Sequence, residues 1–217
     1  MKPTLIVIFA KAPLPGLAKT RLSPALGHEG SANLAGILLR HTLQETLASS
    51  VGDVELCVSP PISNKAWQHI NLPCDTLTFS QQGEGDLGTR MARTTARVIK
   101  GGSSVILIGT DCPALDSDTL TQAAKALSKN DAVILPTFDG GYALLGLNAY
   151  HPSLFEGIAW STDTVCTSTL ARMETLKWNV ATLPTLYDID EPNDLQHLPR
   201  SIKNKISQFS TQDNAHA

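Results

Sequence analysis

Residues 5–9 read Leu-Ile-Val-Ile-Phe, and residues 10–21 continue as AKAPLPGLAKTR. The first five are all apolar, and Ile6, Val7 and Ile8 are β-branched. An unbroken run of this kind predicts a strand buried on both faces, as in a parallel sheet. The chain then changes character: Pro13, Pro15 and Gly16 predict a turn, and Lys11, Lys19 and Arg21 flank it. Backbone free to approach an anion, with Lys and Arg to neutralise it, is what phosphate binding requires. The loop is neither GxxxxGK[ST] nor GxGxxG, so it is not a P-loop or a dinucleotide fingerprint.

Working outward, the same pattern recurs. Residues 104–109 (SVILIG) and 132–136 (AVILP) are further buried-strand runs, with shorter candidates at 54–58 and 143–147. Helical faces lie between them. Leu34, Leu38, Thr42 and Thr46 stand one turn apart within 31–48, and Leu87, Met91, Thr95 and Val98 share a face in 86–99. Ser117 is placed to cap a helix carrying Leu120, Ala124 and Leu127, and Val165, Thr169, Met173 and Leu176 align within 163–177. Alternation of strand and helix predicts a three-layer α/β/α sandwich with a mostly parallel sheet. The expected domain is residues 1–200. Residues 201–217 (SIKNKISQFSTQDNAHA) are polar and expected to fray.

Bulk properties narrow the function classes. With 17 Lys and Arg against 20 Asp and Glu, the net charge is −3, so no general basic field attracts nucleic acid. The 4 cysteines form no CxxC pair, which argues against a Cys-only zinc site and for free thiols in a reducing compartment. The first apolar run is too short to span a bilayer and no small-residue cleavage site follows it, so a cytoplasmic protein is expected.

In open parallel sheets, ligands sit beyond the carboxyl ends of the strands. Asp111 follows the run at 104–109, and a carboxylate there suits a hard divalent cation such as Mg2+ or Mn2+; a turn Asp bonding its own backbone is the plainer reading. Asp139, Gly140, Gly141 and Tyr142 follow the run at 132–136. The glycines permit close backbone approach, and Asp-Gly is also a hairpin signal. In YDIDEPNDL (187–195), Asp188 and Asp190 would share one face of a strand and could form a second metal arm. Alternatively, Asp190 or Glu191 caps a helix starting at Pro192.

Five ordered stretches carry a resemblance: FAKAPLPGLAKTRLSPALG, GEGDLGTRM, LIGTDCPAL, DGGYALLGL and YDIDEPNDL. Together they resemble the rSAM/selenodomain-associated transferases, GT-A-type (Rossmann-like, nucleotide-diphospho-sugar transferase) proteins often called glycosyltransferases. The layout is also similar to nucleotidyltransferases that make molybdopterin dinucleotides or guanylylate phosphoenolpyruvate-type acceptors. The resemblance implies that Lys11, Gly16, Lys19 and Arg21 hold nucleotide phosphates and that Asp86 lies near the base or ribose. It implies Asp111 and Asp190, with Asp188 as substitute, as ligands of Mg2+ or Mn2+. Asp111 and Lys19 are then the catalytic residues, and Asp139 to Tyr142 face the sugar or a small-molecule acceptor. The Gly-rich opening of sugar nucleotidyltransferases is replaced here by KAPLPGLAKTR.

The expected activity is transfer from a nucleotide-activated donor, with glycosyl transfer from a nucleotide sugar ahead of nucleotidyl transfer to a phosphorylated acceptor. Two other classes are weighed against it. A non-catalytic nucleotide-binding module would lack a complete metal site. A hydrolase using Cys112 would need a histidine partner, which the sequence does not place nearby.

Overall fold

The computed structural model describes residues 2–68 and 70–213. Its strands are β1 (Thr4–Lys11), β2 (Asp53–Ser59), β3 (Thr78–Gln81), β4 (Ser104–Ile108), β5 (Ala132–Pro136), β6 (Tyr142–Leu147) and β7 (Val180–Thr182). They form one sheet in the order β3-β2-β1-β4-β6-β5-β7. Only β6 runs antiparallel to its neighbours β4 and β5; the other pairings are parallel.

The helices are α1 (Ser23–Ser49, broken at Gly27), α2 (Leu87–Lys100), α3 (Ser117–Leu127), α4 (Val165–Thr175) and α5 (Arg200–Asp213). Alternation along β1 sorts them into layers. Ile6, Ile8 and Ala10 pack with Leu39 and Leu43 of α1 and Leu120 and Leu127 of α3. Val7 packs the other way, with Met91 and Val98 of α2 and Cys166 and Met173 of α4. The three-layer, mostly parallel α/β/α sandwich is therefore the fold the alternation predicts.

Four details differ from the sequence reading. The cap of α3 is Asp116, whose carboxylate accepts the Thr119 amide at 2.8 Å, rather than Ser117. The acidic segment at 187–195 is not a strand, because Ile189 is fully buried and its amide bonds the Asp111 carbonyl at 2.8 Å. Residues 201–213 are helical where a frayed tail is expected. There Ile202 supplies the anchor, packing at 0% exposure in a third cluster with Leu22, Leu34, Leu38 and Ile189. Residues 214–217 of that segment lie outside the described residues. Fourth, residues 142–147 form a hairpin strand, so the sheet is mixed at one side.

Candidate functional site

β1, β4 and β5 run in the same direction, so their carboxyl ends open on one edge of the sheet. The loop after β1 closes on itself through Leu17 and Ala18 amides bonding the Leu14 carbonyl, then enters a short 3-10 turn at Thr20–Leu22. Leu22 is fully buried and anchors that turn to the third cluster. Lys19 lies just before it in the left-handed region (φ 49°), uncommon for a residue with a side chain. Strained backbone of this kind persists where the surroundings fix it, often at functional sites.

The Lys19 side chain is only 7% exposed, and its ammonium contacts three oxygens. Asp111 Oδ1 lies at 2.6 Å, Asp190 Oδ1 at 2.7 Å, and the Ile189 carbonyl oxygen accepts at 2.5 Å. Burial alone would lower the Lys19 pKa; the charges and hydrogen bonds of Asp111 and Asp190 outweigh it and raise the pKa above the ordinary lysine value. Two carboxylates from distant parts of the chain thus meet on one cation. The fold reason is direct: the Asp111 carbonyl holds the Ile189 amide, and Ile189 is locked in the third cluster.

Asp188, on the other side of Ile189, faces a cleft also lined by Arg21, Asp139 and Asp194. Burial, then repulsion from Asp139 and Asp190, pushes the Asp188 carboxyl up to about 6. The plainer reading of the late segment also holds, because Asp194 Oδ2 accepts the Glu191 and Asp190 amides at 2.7 and 3.0 Å across the start of a 3-10 turn at Pro192–His197. The two readings coexist on different residues: Glu191 and Asp194 cap, and Asp190 points to Lys19.

No group of three or more His, Cys, Asp or Glu side chains among the described residues is arranged to hold a metal alone. The donor set still fits a hard divalent cation. Asp111, Asp190 and the Ile189 carbonyl already surround a positive charge with oxygen, and Mg2+ completes its shell with water and phosphate oxygens.

The other expected site residues take varied places. Arg21 lines the cleft, while Lys11 is exposed at the end of β1 and Gly16 sits in the turn at φ 72°. Asp86 caps α2, accepting the Thr89 amide at 2.8 Å, and hydrogen bonding from the Thr89 side chain, then from its amide, lowers its pKa. Asp139 Oδ1 accepts from the Thr137 hydroxyl at 2.6 Å and the Gly141 amide at 2.9 Å, which fixes the hairpin turn between β5 and β6. Gly140 is required there: its φ is +88°, and a Cβ would stand 2.0 Å from the Asp163 carbonyl oxygen. Tyr142 is expected at the acceptor. Instead its hydroxyl is buried on the α2–α4 face beside Thr169 and Cys166, away from the cleft, and burial raises its pKa. The Cys112 thiol is buried and pushed up to about 12, mainly by desolvation, which argues against a nucleophilic role.

Three contributors escape a reading of the sequence. The Ile189 carbonyl is one, since backbone acceptors leave no compositional trace. Gln82 is another: it is 4% exposed and its side-chain amide donates to the carbonyls of Ala10 and Cys57 at 3.1 Å each, tying the carboxyl ends of β1 and β2 together. The third is a stack of Phe138, Tyr187 and His197 at the cleft rim.

The family described as "uncharacterized protein conserved in bacteria (DUF2064)" matches residues 42–162. That span includes Asp86, Asp111 and Asp139 but not the basic loop or the late acidic segment. Among solved structures, a candidate nucleotide-diphospho-sugar transferase from Desulfovibrio desulfuricans G20 is 32% identical, with a TM-score of 0.84 over 94% of this chain and 89% of that one. Rv0371c from Mycobacterium tuberculosis H37Rv, solved in complex with manganese, is 16% identical with a TM-score of 0.51, covering 91% of this chain and 98% of that one. A CMP:2-keto-3-deoxy-manno-octonic acid synthetase complexed with CTP is 10% identical with a TM-score of 0.53, covering 97% and 99%. The last two likenesses concern the fold alone. No curated protein matches the sequence.

Proposed function

The chain belongs to the DUF2064 family, and we propose that it is a metal-dependent transferase acting on a nucleotide-activated donor, most simply a glycosyltransferase using a nucleotide sugar. We propose further that it is one of the rSAM/selenodomain-associated transferases, on the five sequence stretches that carry that resemblance. One observation carries the reading: Asp111, Asp190 and the Ile189 carbonyl converge on a single cation at the carboxyl edge of the sheet, beside the basic loop. The fold shared with the 32%-identical candidate nucleotide-diphospho-sugar transferase supports it.

In this reading Asp111 and Asp190 hold Mg2+ or Mn2+. When bound, the metal neutralises charge on the donor phosphates and on the leaving group. Lys19 and Arg21 supply positive charge from the protein itself, in a site walled by β1 and β4, where such charges act more strongly than in water. Asp111 and Asp190 orient the Lys19 ammonium until phosphate arrives. Asp139 and Asp188 face the acceptor side, where a carboxylate can accept a proton from an attacking hydroxyl. Three buried free thiols, Cys57, Cys112 and Cys166, support a reducing, cytoplasmic setting.

Nucleotidyl transfer from a nucleoside triphosphate is the second reading, favoured by the three cations Lys11, Lys19 and Arg21 at the end of β1 and in the loop that follows it. A thermal-shift panel of nucleotide sugars and nucleoside triphosphates, with and without Mg2+ or Mn2+, paired with a pyrophosphate-release assay, tests both. Metal-dependent stabilisation by a nucleotide sugar, with no pyrophosphate released, is expected. Pyrophosphate release from a triphosphate selects the second reading. No stabilisation by any nucleotide overturns both.

A further inference from the structure

Phe138, Tyr187 and His197 form a three-ring stack on the rim of the cleft. Tyr187 and His197 are 3.6 Å apart and 4° from parallel; Phe138 lies over the other face of Tyr187 at 4.1 Å and 24°. Both faces of Tyr187 are taken, so the outer faces of the stack belong to Phe138, which is 60% exposed, and to His197; of these two rings Phe138 is the one that lines the cleft. A large ring left so exposed gains little from the core. It is nevertheless held in place. The Phe138 amide bonds the Leu186 carbonyl at 3.1 Å, and the Leu186 amide bonds the Pro136 carbonyl at 3.0 Å. These bonds join the β5–β6 turn to the late acidic segment.

The cleft beside the stack is lined by Asp139, Asp188, Asp190, Glu191 and Asp194 against one cation, Arg21. Asp139 and Asp188 form no salt bridge among the described residues. Asp190 belongs both to this cleft and to the Lys19 contact, so the platform is continuous with the site described above.

We propose that this cleft is an acceptor subsite for a non-anionic hydroxylated ring, a sugar or sugar-like polyol without phosphate or carboxylate. It sits with its flat C–H face on Phe138 and its hydroxyls toward Asp139 and Asp188. The aromatic face supplies dispersion and excludes water, and the carboxylates accept O–H donors. The same carboxylates repel a phosphorylated acceptor. The inference rests on the transferase reading and specifies its acceptor side.

The test is saturation-transfer NMR with two matched probes, methyl α-D-glucopyranoside and glucose 6-phosphate, in the presence of Mg2+. The neutral glycoside is expected to bind at least fivefold more tightly than the phosphate ester. Phe138→Ala, an exposed substitution that spares the core, is expected to weaken glycoside binding at least fivefold. Asp139→Asn with Asp188→Asn is expected to close the gap between the probes. Equal or tighter binding of glucose 6-phosphate overturns the inference. So does glycoside binding indifferent to Phe138→Ala, or no binding of either probe. The nucleotide-induced thermal shift, recorded on the same samples, reports separately on the donor site. Its absence counts against the transferase reading, while the glycoside signal alone decides the platform.

Discussion

Asp188 and Lys19 show how neighbouring residues in one site acquire opposite electrostatic roles. Lys19 is stabilised as a cation by Asp111 and Asp190, whereas the Asp188 carboxyl is pushed up by burial first and then by Asp139 and Asp190. A carboxyl raised to about 6 in the folded state costs stability when ionised. The cost is present above about pH 6 and fades as pH falls toward the ordinary carboxylate value, where both states are protonated. In chelator-treated protein, Asp188→Asn should therefore raise unfolding free energy at pH 8 by roughly 1–2 kcal/mol, discounted for partial solvent exposure. Denaturant melts should show that gain shrinking to nothing near pH 4; a gain independent of pH would contradict the assignment. Lys19→Met, which keeps the buried stem, should weaken nucleotide binding by roughly 1.5–3 kcal/mol, the scale of charged hydrogen bonds. Isothermal titration measures it, and unchanged affinity would remove Lys19 from the phosphate site. The sequence showed these residues as candidates because charged groups following buried runs are legible. It could not show that Lys19 and Asp190 touch, since that contact depends on where Ile189 is buried.

At the level of elements, legibility followed burial. The interior strands β1, β4 and β5 announced themselves as unbroken apolar runs. The edge strands β3 and β7 did not, being short, half-exposed and rich in Thr, Ser and Gln. The reversed direction of β6 was hidden too, although the Asp-Gly turn preceding it was a readable sign. The segment GEGDLG was legible both as a motif and, through the helical face read over 86–99, as an element boundary. In the fold Asp86 starts α2, and Gly88 passes so close to Trp160 that a Cβ would lie 2.3 Å from its indole nitrogen. Two expectations follow. Asp86→Ala should lower the melting temperature by roughly 2–4 °C through loss of the helix cap. If capping is its whole role, nucleotide affinity will not change; a parallel loss of affinity would restore the ribose or base contact implied by resemblance. Gly88→Ala should destabilise far more, because indole or backbone must shift, and calorimetry should rank it well below Asp86→Ala.

Across the molecule, the third cluster ties the site together. Leu22 from the basic loop, Leu34 and Leu38 from α1, Ile189 from the acidic segment and Ile202 from α5 share one apolar contact. The final helix was missed because its residues are mostly polar, yet Ile202 and Ile206, one turn apart, were the available signal. Ile202→Ala should cost about 2–4 kcal/mol, the usual range for emptying a fully buried aliphatic site. Among the described residues this helix supplies none of the cleft lining, but Ile202 packs in the cluster that holds Ile189, so its truncation should also loosen Ile189 and weaken nucleotide binding in folded protein. Intact affinity at a temperature well below the new melting point would show that the cluster serves stability alone.

The contact between Lys19 and the two aspartates has a thermodynamic consequence. An ammonium and a divalent ion cannot occupy the same seat between Asp111 and Asp190. Under the proposed function, donor phosphates that draw Lys19 out would make room for the ion, and the two ligands would bind with positive cooperativity, each raising the affinity of the other by the same factor. Without nucleotide, the protein should be a poor chelator, its own side chain acting as the competitor. Titration of Mn2+ followed by electron paramagnetic resonance should show tight loading only when nucleotide is present. In Lys19→Met the ion should load without nucleotide, and the cooperativity should disappear.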